Sequence, residues 1–287
     1  MTLLECYQKG KKQLELAGID TAAFDALCLF EQVFGMNRQD LYLKGSEIAF
    51  SQKIIVYQNQ IASRMKRQPL QYLLGEWPFR HLKFAVGPGV LIPREETELL
   101  VDFAMKKISE PGARILDLCS GSGAIAVSCA YELKEAGYPA ESVTAVELSE
   151  EAIHYLKENA TRNHTKIQII QDDVTNPQKI ENCPLQDIIL SNPPYIPTKD
   201  LSALQLEVQW EPKMALDGGN DGLAFYRAIL QYWLPRLKPG GWVAVECGMG
   251  QAESIANLFV KNGLDEVEIT ADFNDIARMV CGKRKTC

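Results

Sequence analysis

Hydrophobic positions follow two different periods along this chain, and the period changes near residue 75. Up to residue 74, apolar residues recur at helical spacing in three segments that begin near Thr2, Ala22 and Ser51. Thr2 and Glu5 have the spacing of a capping box, Gly35 follows the second segment, and Ser51 is placed to cap the third. The pattern predicts a small helical bundle over residues 1–74, which we interpret as a recognition module.

A strand pattern replaces the helical one after residue 74. Apolar residues on both sides of Gly87-Pro88-Gly89 predict a β-hairpin over residues 75–94 that links two domains. Strand and helix patterns then alternate through residues 95–287, which favours a parallel sheet with helices on both faces. The predicted strands are 113–118, 143–147, 167–171, 186–191, 242–247, 265–270 and 277–282, and the predicted helices are 97–108, 123–136, 150–162, 222–234 and 250–261.

Composition narrows the class of protein. The 287 residues have a net charge of −7, which argues against a general nucleic-acid binder. A basic excess around Arg64, Lys66 and Arg67 suits either a solvated helix face or an acidic or RNA-associated partner. No apolar stretch is long enough for a bilayer and no signal peptide is evident at the start, so we expect no membrane contact and a cytoplasmic location.

The cysteines and histidines do not have metal-ligand spacing. Eight cysteines, the last of them Cys287, are scattered without a Cys-x-x-Cys motif, and the three histidines are not placed near them in a zinc-binding pattern. We expect reduced cysteines that mainly pack in the interior, and no bound metal.

The tetrad Asn192-Pro193-Pro194-Tyr195 is the most informative motif. It follows the apolar run 187–191, which reads as a buried strand, and two consecutive prolines end that strand abruptly. An amide and bare carbonyl groups are then presented at the carboxyl end of a strand, where ligands bind in open α/β sheets. Paired acceptors beside an aromatic ring suit a planar NH2 group; the alternative is a proline-stiffened surface loop.

A glycine-rich turn follows the first predicted strand of the sheet. It begins after Asp117 and continues through Cys119-Ser120-Gly121-Ser122-Gly123 into a helix. The spacing also fits a dinucleotide fingerprint, so the turn alone is ambiguous. Asp117 would repel a pyrophosphate but suits an ammonium group, such as that of S-adenosylmethionine, and this favours a methyl donor.

Acidic residues end the next two predicted strands. Glu147 is placed to accept from both ribose hydroxyls of a nucleoside, although a helix-start acid is the simpler alternative. Asp173 could accept from an adenine amine and Val174 could cover the ring, or both could be turn and packing residues.

Together these motifs resemble the class I methyltransferases, and more closely the release factor glutamine N5-methyltransferases. The most specific stretches are Leu91-Ile92-Pro93-Arg94-Glu95-Glu96-Thr97-Glu98 and Glu211-Pro212-Lys213-Met214-Ala215-Leu216. The tetrad, the glycine turn and the run Leu237-Lys238-Pro239-Gly240-Gly241 also carry the resemblance, although the tetrad is shared with adenine-N6 DNA and some rRNA methyltransferases. The resemblance covers the whole chain. Cys119-Ser120 stands where the family commonly has Gly-Thr, Glu147 where it usually has Asp, and Val174 where a larger ring-covering residue can occur.

The resemblance implies a seven-stranded Rossmann-like sheet, joined by the hairpin to the helical bundle. It also implies methyl transfer from S-adenosylmethionine, with S-adenosylhomocysteine as product, to the Gly-Gly-Gln glutamine of class 1 peptide chain release factors. The acceptors would be Asn192 and the Pro193 carbonyl, with Tyr195 against the amide and Pro194 shaping the corner. The donor site would comprise Asp117, Cys119, Ser120, Gly121, Ser122, Gly123, Glu147, Asp173, Val174 and Asn192.

The peptide-binding part of the pocket is less defined. Arg94 or Glu98 would contact the peptide backbone, with a salt bridge that anchors the hairpin as an equal alternative, and Glu211-Pro212 would shape a substrate loop. We expect a monomer that binds no nucleic acid directly.

Three rival functions are considered. An adenine-N6 or guanine-N2 nucleic-acid methyltransferase would share the tetrad but would require a basic cleft, and the predicted catalytic half of this chain is acidic. A nicotinamide dehydrogenase conflicts with Asp117 and the tetrad. A binding adaptor with an inactive methyltransferase fold would not need an intact tetrad and turn.

Overall fold

The chain folds into two compact units. The computed structural model describes residues 1–108, 112–137 and 143–286, so the expectation for Cys287 lies outside the described residues. One unit comprises Met1–Glu76 with Gln205–Trp210, and the other comprises Trp77–Leu204 with Glu211–Cys287.

The first unit is helical, as its spacing predicts. Its helices are α1 (Leu3–Leu16), α2 (Ala22–Phe34), α3 (Arg38–Lys44), α4 (Ser51–Met65) and α5 (Leu70–Leu74). The capping box of Thr2 and Glu5 is confirmed, because each side chain accepts a hydrogen bond from the other residue's backbone N–H. Gly35 ends α2 in the left-handed conformation (φ 70°), as a C-terminal glycine does.

Two details of the helical prediction are wrong. Ser51 does not cap α4: it is the first helical residue, and Phe50 occupies the N-cap position. The short helices α3 and α5 were missed, because seven and five residues are too few to establish a period. The Asn37 side chain caps α3 in a capping box with Asp40, which is a local signal that could have revealed it.

Arg64 is a buried structural residue of this unit and not part of a basic surface. Its guanidinium lies 2.6 Å from a carboxylate oxygen of Asp25 and 2.9 Å from one of Glu207. Arg67 lies 3.2 Å from the same Glu207 carboxylate. The acidic partners come from within the chain, because residues 205–210 pack with the helices.

The predicted hairpin exists but turns earlier than expected. Its strands are β1 (Glu76–Phe79) and β2 (Leu82–Ala85), so the turn lies at Arg80 and His81 and not at Gly87–Gly89. Arg80 has a φ of 52°, and its guanidinium lies 2.7 Å from Asp102 and 2.7 Å from Glu132. These ion pairs hold a non-glycine residue in a conformation that the local sequence alone disfavours.

The second unit contains a seven-stranded sheet, as the resemblance implies. The strands are β3 (Ile115–Leu118), β4 (Val143–Glu147), β5 (Gln168–Gln171), β6 (Gln186–Ser191), β7 (Leu237–Glu246), β8 (Leu264–Ala271) and β9 (Ala277–Arg284). Their order is β5-β4-β3-β6-β7-β9-β8. The five strands β3 to β7 are parallel, as the alternation of strands and helices predicts, whereas β9 is antiparallel to both of its neighbours, so the sheet is mixed.

Helices cover both faces of this sheet. They are α6 (Glu98–Lys107), α7 (Ala124–Glu135), α8 (Glu150–Arg162), α9 (Ala224–Ala228) and α10 (Ala252–Lys261). The single helix predicted for 222–234 is interrupted: after α9 the chain makes a π-helical turn at Ile229–Trp233 and a 3-10 turn that contains Pro235. The buried Trp233 indole donates to the Val174 carbonyl at 2.9 Å, which ties this turn to the segment after β5.

The strands alternate between two core clusters. In β6, Ile188 and Leu190 belong to the cluster that includes α6 and α7, and Ile189 belongs to the cluster that includes α9 and α10. Strand order reverses between β3 and β6, because the chain runs outward to β4 and β5 before it returns. Ligands of open α/β sheets bind at the carboxyl ends of strands beside such a reversal.

Candidate active site

A cleft lies at the carboxyl ends of the central strands. Its empty volume is about 810 Å³, part of which is open to solvent. The lining residues come from four predicted motifs and include Cys119, Gly121, Glu147, Asp173, Val174, Asn192 and Pro194, together with Leu91 and Pro212. The fold therefore brings the glycine turn, the two strand-end acids and the tetrad to one site.

The proline corner begins where β6 ends. Ser191 is opposite Leu118 of β3 in the sheet, and its hydroxyl donates to the Leu118 carbonyl at 2.7 Å. Asn192 is half-buried, and its Nδ2 donates to Thr97 Oγ1 at 2.9 Å. With this amine committed to Thr97, the carbonyl oxygen Oδ1 is the group of Asn192 that can accept from a ligand.

The other residues of the tetrad have different surroundings. Pro193 and Pro194 are buried, and Pro194 lines the cleft. The Tyr195 ring packs against the core cluster of α9 and α10, while its carbonyl accepts from Gln251 Nε2 at 2.8 Å. Burial raises the pKa of the Tyr195 phenol. Contacts of Pro193 and Tyr195 with a substrate amide stay predictions.

Thr97 and Glu246 are residues of the site that the sequence analysis missed. Thr97 precedes α6, Glu246 ends β7, and the Thr97 hydroxyl lies 2.5 Å from Glu246 Oε2. Both side chains are buried, with 4% and 3% of their surface exposed. A signal for Glu246 was available, because it ends an apolar strand as Glu147 does; Thr97 gave no signal beyond its family motif.

The glycine turn forms a ligand-sized concavity through its backbone conformation. Cys119, Gly121 and Gly123 all have positive φ angles of 60°, 54° and 82°. A Cβ at Gly121 would meet no atom of the described residues within 4 Å, since the cleft lies there. Ser120 holds the turn, because its hydroxyl donates to the Asp117 carbonyl at 2.9 Å, and the Ser122 carbonyl accepts from Asn159 Nδ2 at 2.9 Å.

Asp117 is fully buried at the base of this turn. Its Oδ2 accepts from the Ala126 N–H at 3.1 Å, which fixes the start of α7. Its Oδ1 has no hydrogen-bond partner among the residues that the structure describes. Burial raises the pKa of this carboxyl from 3.8 to about 8. A buried acceptor without a partner is costly, so the site fits a ligand that carries a cationic donor.

Glu147 lines the cleft and organises its rim. Oε2 accepts from Gly121 N at 2.8 Å, and Oε1 accepts from Leu148 N at 2.9 Å and Ser149 N at 2.8 Å. A carboxylate has about four acceptor positions, so these three bonds leave capacity for one ligand hydroxyl. Burial raises the pKa of Glu147, and the three backbone bonds oppose this increase.

The segment after β5 forms the far wall of the cleft. Asp173 Oδ1 accepts from the Thr175 N–H and hydroxyl, each at 2.7 Å, so this carboxylate shapes a turn while it lines the cleft. The neighbouring Asp172 also lines the cleft, and its carboxylate accepts from the backbone N–H groups of Gln178 and Lys179. Val174 is buried, and it also lines the cleft.

Arg94 and Glu98 are both engaged within the protein. The Arg94 guanidinium forms a short ion pair with Glu211, whose other oxygen accepts from the Ile92 N–H at 3.0 Å. Glu98 Oε1 accepts from the Arg80 N–H in the hairpin turn at 2.8 Å. The Glu98 contact is a hydrogen bond to the hairpin and the Arg94 salt bridge lies outside β1 and β2, and a direct role for either residue with a peptide stays a prediction.

Across residues 1–108, 112–137 and 143–286, no cluster of three or more His, Cys, Asp or Glu side chains could hold a metal ion. None of the helices in these ranges has both the length and the apolarity that a membrane crossing requires.

The order of the seven strands and the cleft at their carboxyl ends define the class I methyltransferase fold. A solved methyltransferase from Pyrococcus furiosus has the same fold, with a TM-score of 0.51, 18% identity, and coverage of 82% of this chain and 100% of that one. Residues 5–75 match the PrmC N-terminal domain family, and residues 95–210 match the methyltransferase small domain family.

Curated relatives identify the family within this class. A release factor glutamine methyltransferase from Geobacter sulfurreducens is 39% identical over 267 residues, which are 93% of this chain and 91% of the relative. One from Thermodesulfovibrio yellowstonii is 38% identical over 262 residues, 88% of this chain and 90% of that relative. The chain belongs to the release factor glutamine methyltransferase family, which confirms the resemblance inferred from its motifs.

Proposed function

We propose that this protein transfers a methyl group from S-adenosylmethionine to the side-chain amide nitrogen of the glutamine in the Gly-Gly-Gln motif of class 1 peptide chain release factors. The observation that carries the proposal is the orientation of Asn192, whose amine is held by Thr97 so that its oxygen is the acceptor at the cleft. A substrate carboxamide has two N–H donors, and such an acceptor can accept a hydrogen bond from them.

The residues of the cleft fit the proposed donor. Asp117 Oδ1 supplies an acceptor for its ammonium group, and Gly121 leaves room for its methionyl chain. Glu147 would accept from the ribose, with Asp173 and Val174 beside the adenine. When bound there, the donor would supply an electrophilic methyl carbon on sulfur, and the amide nitrogen that accepts the methyl group would give up a proton to solvent.

The chain's own contribution is positioning. A glutamine amide nitrogen is a weak nucleophile because its lone pair is delocalised. Asn192 Oδ1 and the Pro193 carbonyl would accept from the two N–H groups and aim the face of the nitrogen at the methyl group. The effective concentration gained by such alignment lowers the barrier without an acid or base on the protein.

The helical residues 1–74 would recognise the release factor, residues 75–94 would link the domains, and residues 95–287 would catalyse the transfer. Support for recognition comes from the exposed apolar side chains of Tyr42, Leu43 and Phe50 in the helical unit, which are 90%, 75% and 79% exposed. In a methyl-transfer assay, the KM for an intact release factor should then be lower than that for a Gly-Gly-Gln peptide. Equal KM values would contradict this division of roles.

The central test is an assay with labelled S-adenosylmethionine that offers release factor, DNA and rRNA in parallel. Label should enter the release factor alone, and a release factor with Ala in place of the target glutamine should stay unlabelled. Asn192→Ala should lower kcat about 100-fold or more, as loss of a preorganised polar group does. Binding of S-adenosylmethionine, measured by calorimetry, should persist.

A matched control is Asn274→Ala, at an exposed position in the turn between β8 and β9. It should keep full activity. Unchanged turnover in Asn192→Ala refutes the assigned role of the corner. Label on DNA or rRNA would favour the nucleic-acid methyltransferase, and no label on any substrate would favour the inactive adaptor.

A further inference from the structure

Glu246 is a buried carboxylate that the proposed reaction does not use. It ends β7 next to the proline corner, because Val245 is paired with Ser191 in the sheet and Asn192 directly follows Ser191. Its only side-chain hydrogen bond within the described residues runs from Thr97 Oγ1 at 2.5 Å. Thr97 in turn accepts from Asn192. The three side chains therefore form a hydrogen-bond relay, which runs from Asn192 through Thr97 to Glu246.

The direction of the two hydrogen bonds in this relay follows from the number of protons available. An ionised carboxylate can only accept, and a threonine hydroxyl has a single proton. Thr97 must therefore donate that proton to Glu246, which leaves its oxygen as an acceptor. Asn192 can satisfy that acceptor only with Nδ2, and its Oδ1 is consequently turned away from Thr97.

We propose that Glu246 and Thr97 are positioning residues that hold the Asn192 amide with its oxygen toward the substrate carboxamide. This inference rests on the proposed function and deepens it. The carboxylate acts through Thr97 and touches neither substrate nor donor. Its role is to decide which end of the Asn192 amide faces the cleft.

Protonation of Glu246 would reverse the direction of both hydrogen bonds in the relay. A neutral carboxylic acid can donate to Thr97 Oγ1, and the threonine proton is then free to turn toward Asn192 Oδ1. The amide would flip and present NH2 to the cleft, where it would meet the N–H donors of the substrate. Methyl transfer should therefore fail as Glu246 becomes protonated, while the donor site stays intact.

The surroundings of Glu246 place this titration near neutral pH. Burial raises its pKa from 4.5 to about 7; Glu96 adds to the increase, and Arg278 and Arg94 oppose it. The phenols of Tyr195 and Tyr226 and the thiol of Cys247 also face it. Below about pH 7 the acid form accumulates, so kcat should rise with pH through this range.

Glu246→Gln removes the fixed direction, because a glutamine amide can either donate to Thr97 or accept from it. We expect kcat at pH 8 to fall about 10- to 100-fold, as expected when a reacting group is misplaced. The KM for release factor and the Kd for S-adenosylmethionine should stay within about twofold, since neither ligand touches this residue. The rise of kcat with pH near 7 should disappear.

Thr97 gives a second, conservative pair of variants. Thr97→Ser keeps the hydroxyl and should keep kcat within about threefold, whereas the isosteric Thr97→Val should resemble Glu246→Gln. Equal losses in both variants would mean that the methyl group and its packing matter, and would overturn the relay. This pair also keeps the inference testable if Glu246→Gln does not fold, which thermal unfolding would reveal.

An activity-independent readout separates this inference from the proposed function. The Asn192 side-chain NH2 signal in a spectrum of asparagine-labelled protein, assigned by its absence in Asn192→Ala, should shift with the titration of Glu246 and not shift in Glu246→Gln. Wild-type protein that fails to methylate release factor refutes the proposed function. The relay alone is refuted if Glu246→Gln keeps wild-type activity with an unchanged pH profile, or if the Asn192 signal of the wild-type protein does not shift as Glu246 titrates.

Discussion

The two sides of the cleft are built in different ways. On the donor side, Asp117 to Ala126 form one continuous stretch in which a strand, a turn and a helix start hold one another through short-range bonds. On the acceptor side, the corner depends on Thr97, Asn192 and Glu246, and its two bonds join residues 95 and 149 positions apart.

This difference has a chemical reason. The proposed donor presents a carboxylate, an ammonium and hydroxyls, which backbone N–H groups and acids at the ends of neighbouring strands can bind. A carboxamide must instead be held with one defined face toward the methyl group, and this needs an acceptor whose orientation is enforced from behind. The buried relay fixes that orientation, and it requires residues from three separate segments of the sequence.

Asp117→Asn should break the donor side most strongly. Loss of the anionic partner for an ammonium group should weaken S-adenosylmethionine binding at least about 30-fold, as loss of one member of a buried charge pair does. The acceptor side should be unaffected, so kcat at saturating donor should change little. Calorimetry and saturation kinetics measure both quantities, and Asp265→Asn, at an exposed carboxylate of β8, is the control.

The same variant has a pH signature in the free protein. Because burial raises the pKa of Asp117 from 3.8 to about 8, the folded state holds a proton that the unfolded chain releases in this interval. Its contribution to stability is complete below the lower value and is lost as the pH rises to the upper one. Asn does not titrate, so Asp117→Asn should gain stability relative to wild type between about pH 5 and 8; parallel stability curves would contradict the assignment.

Glu211→Ala should loosen the wall that the Leu91–Arg94 segment forms. The buried carboxylate accepts from the Ile92 N–H and pairs with Arg94, so its removal leaves a backbone donor without a partner. We expect a loss of about 2 kcal/mol in the free energy of unfolding, measured with urea. Glu211→Gln keeps an acceptor and should lose less, and the exposed Glu253→Ala should lose almost nothing. Equal losses in the Ala and Gln variants would argue against this hydrogen bond.

Cys119 offers the smallest and sharpest test of the turn. At a φ of 60°, a residue with a Cβ is disfavoured by about 1 kcal/mol or more relative to glycine. Cys119→Gly should therefore be more stable than Cys119→Ala by about 1 kcal/mol in thermal unfolding. At Cys129, inside α7, the order should reverse because alanine is the better helix former. The same order at both positions would show that backbone conformation does not decide the result.

The sequence predictions were most accurate where the determinants are local. The capping box of Thr2 and Glu5, the Gly35 cap, and the strands 143–147 and 186–191 follow from a few adjacent residues. They failed where distant residues decide: the hairpin turns at Arg80 because Asp102 and Glu132 hold it there. Likewise Arg64 reads as a surface cation, but Asp25 and Glu207 bury it.

What the sequence by itself determined is the class of site: a glycine turn after Asp117, a strand-end Glu147 and a proline-stiffened corner at Asn192, each encoded in contiguous residues whose backbone preferences need no distant help. What only the tertiary structure decided is how that corner is aimed. Thr97 and Glu246 meet Asn192 because β6 and β7 are neighbours and α6 starts beside them. The direction of a hydrogen-bond chain depends on where protons and buried charges lie in space, and no spacing along the chain records that.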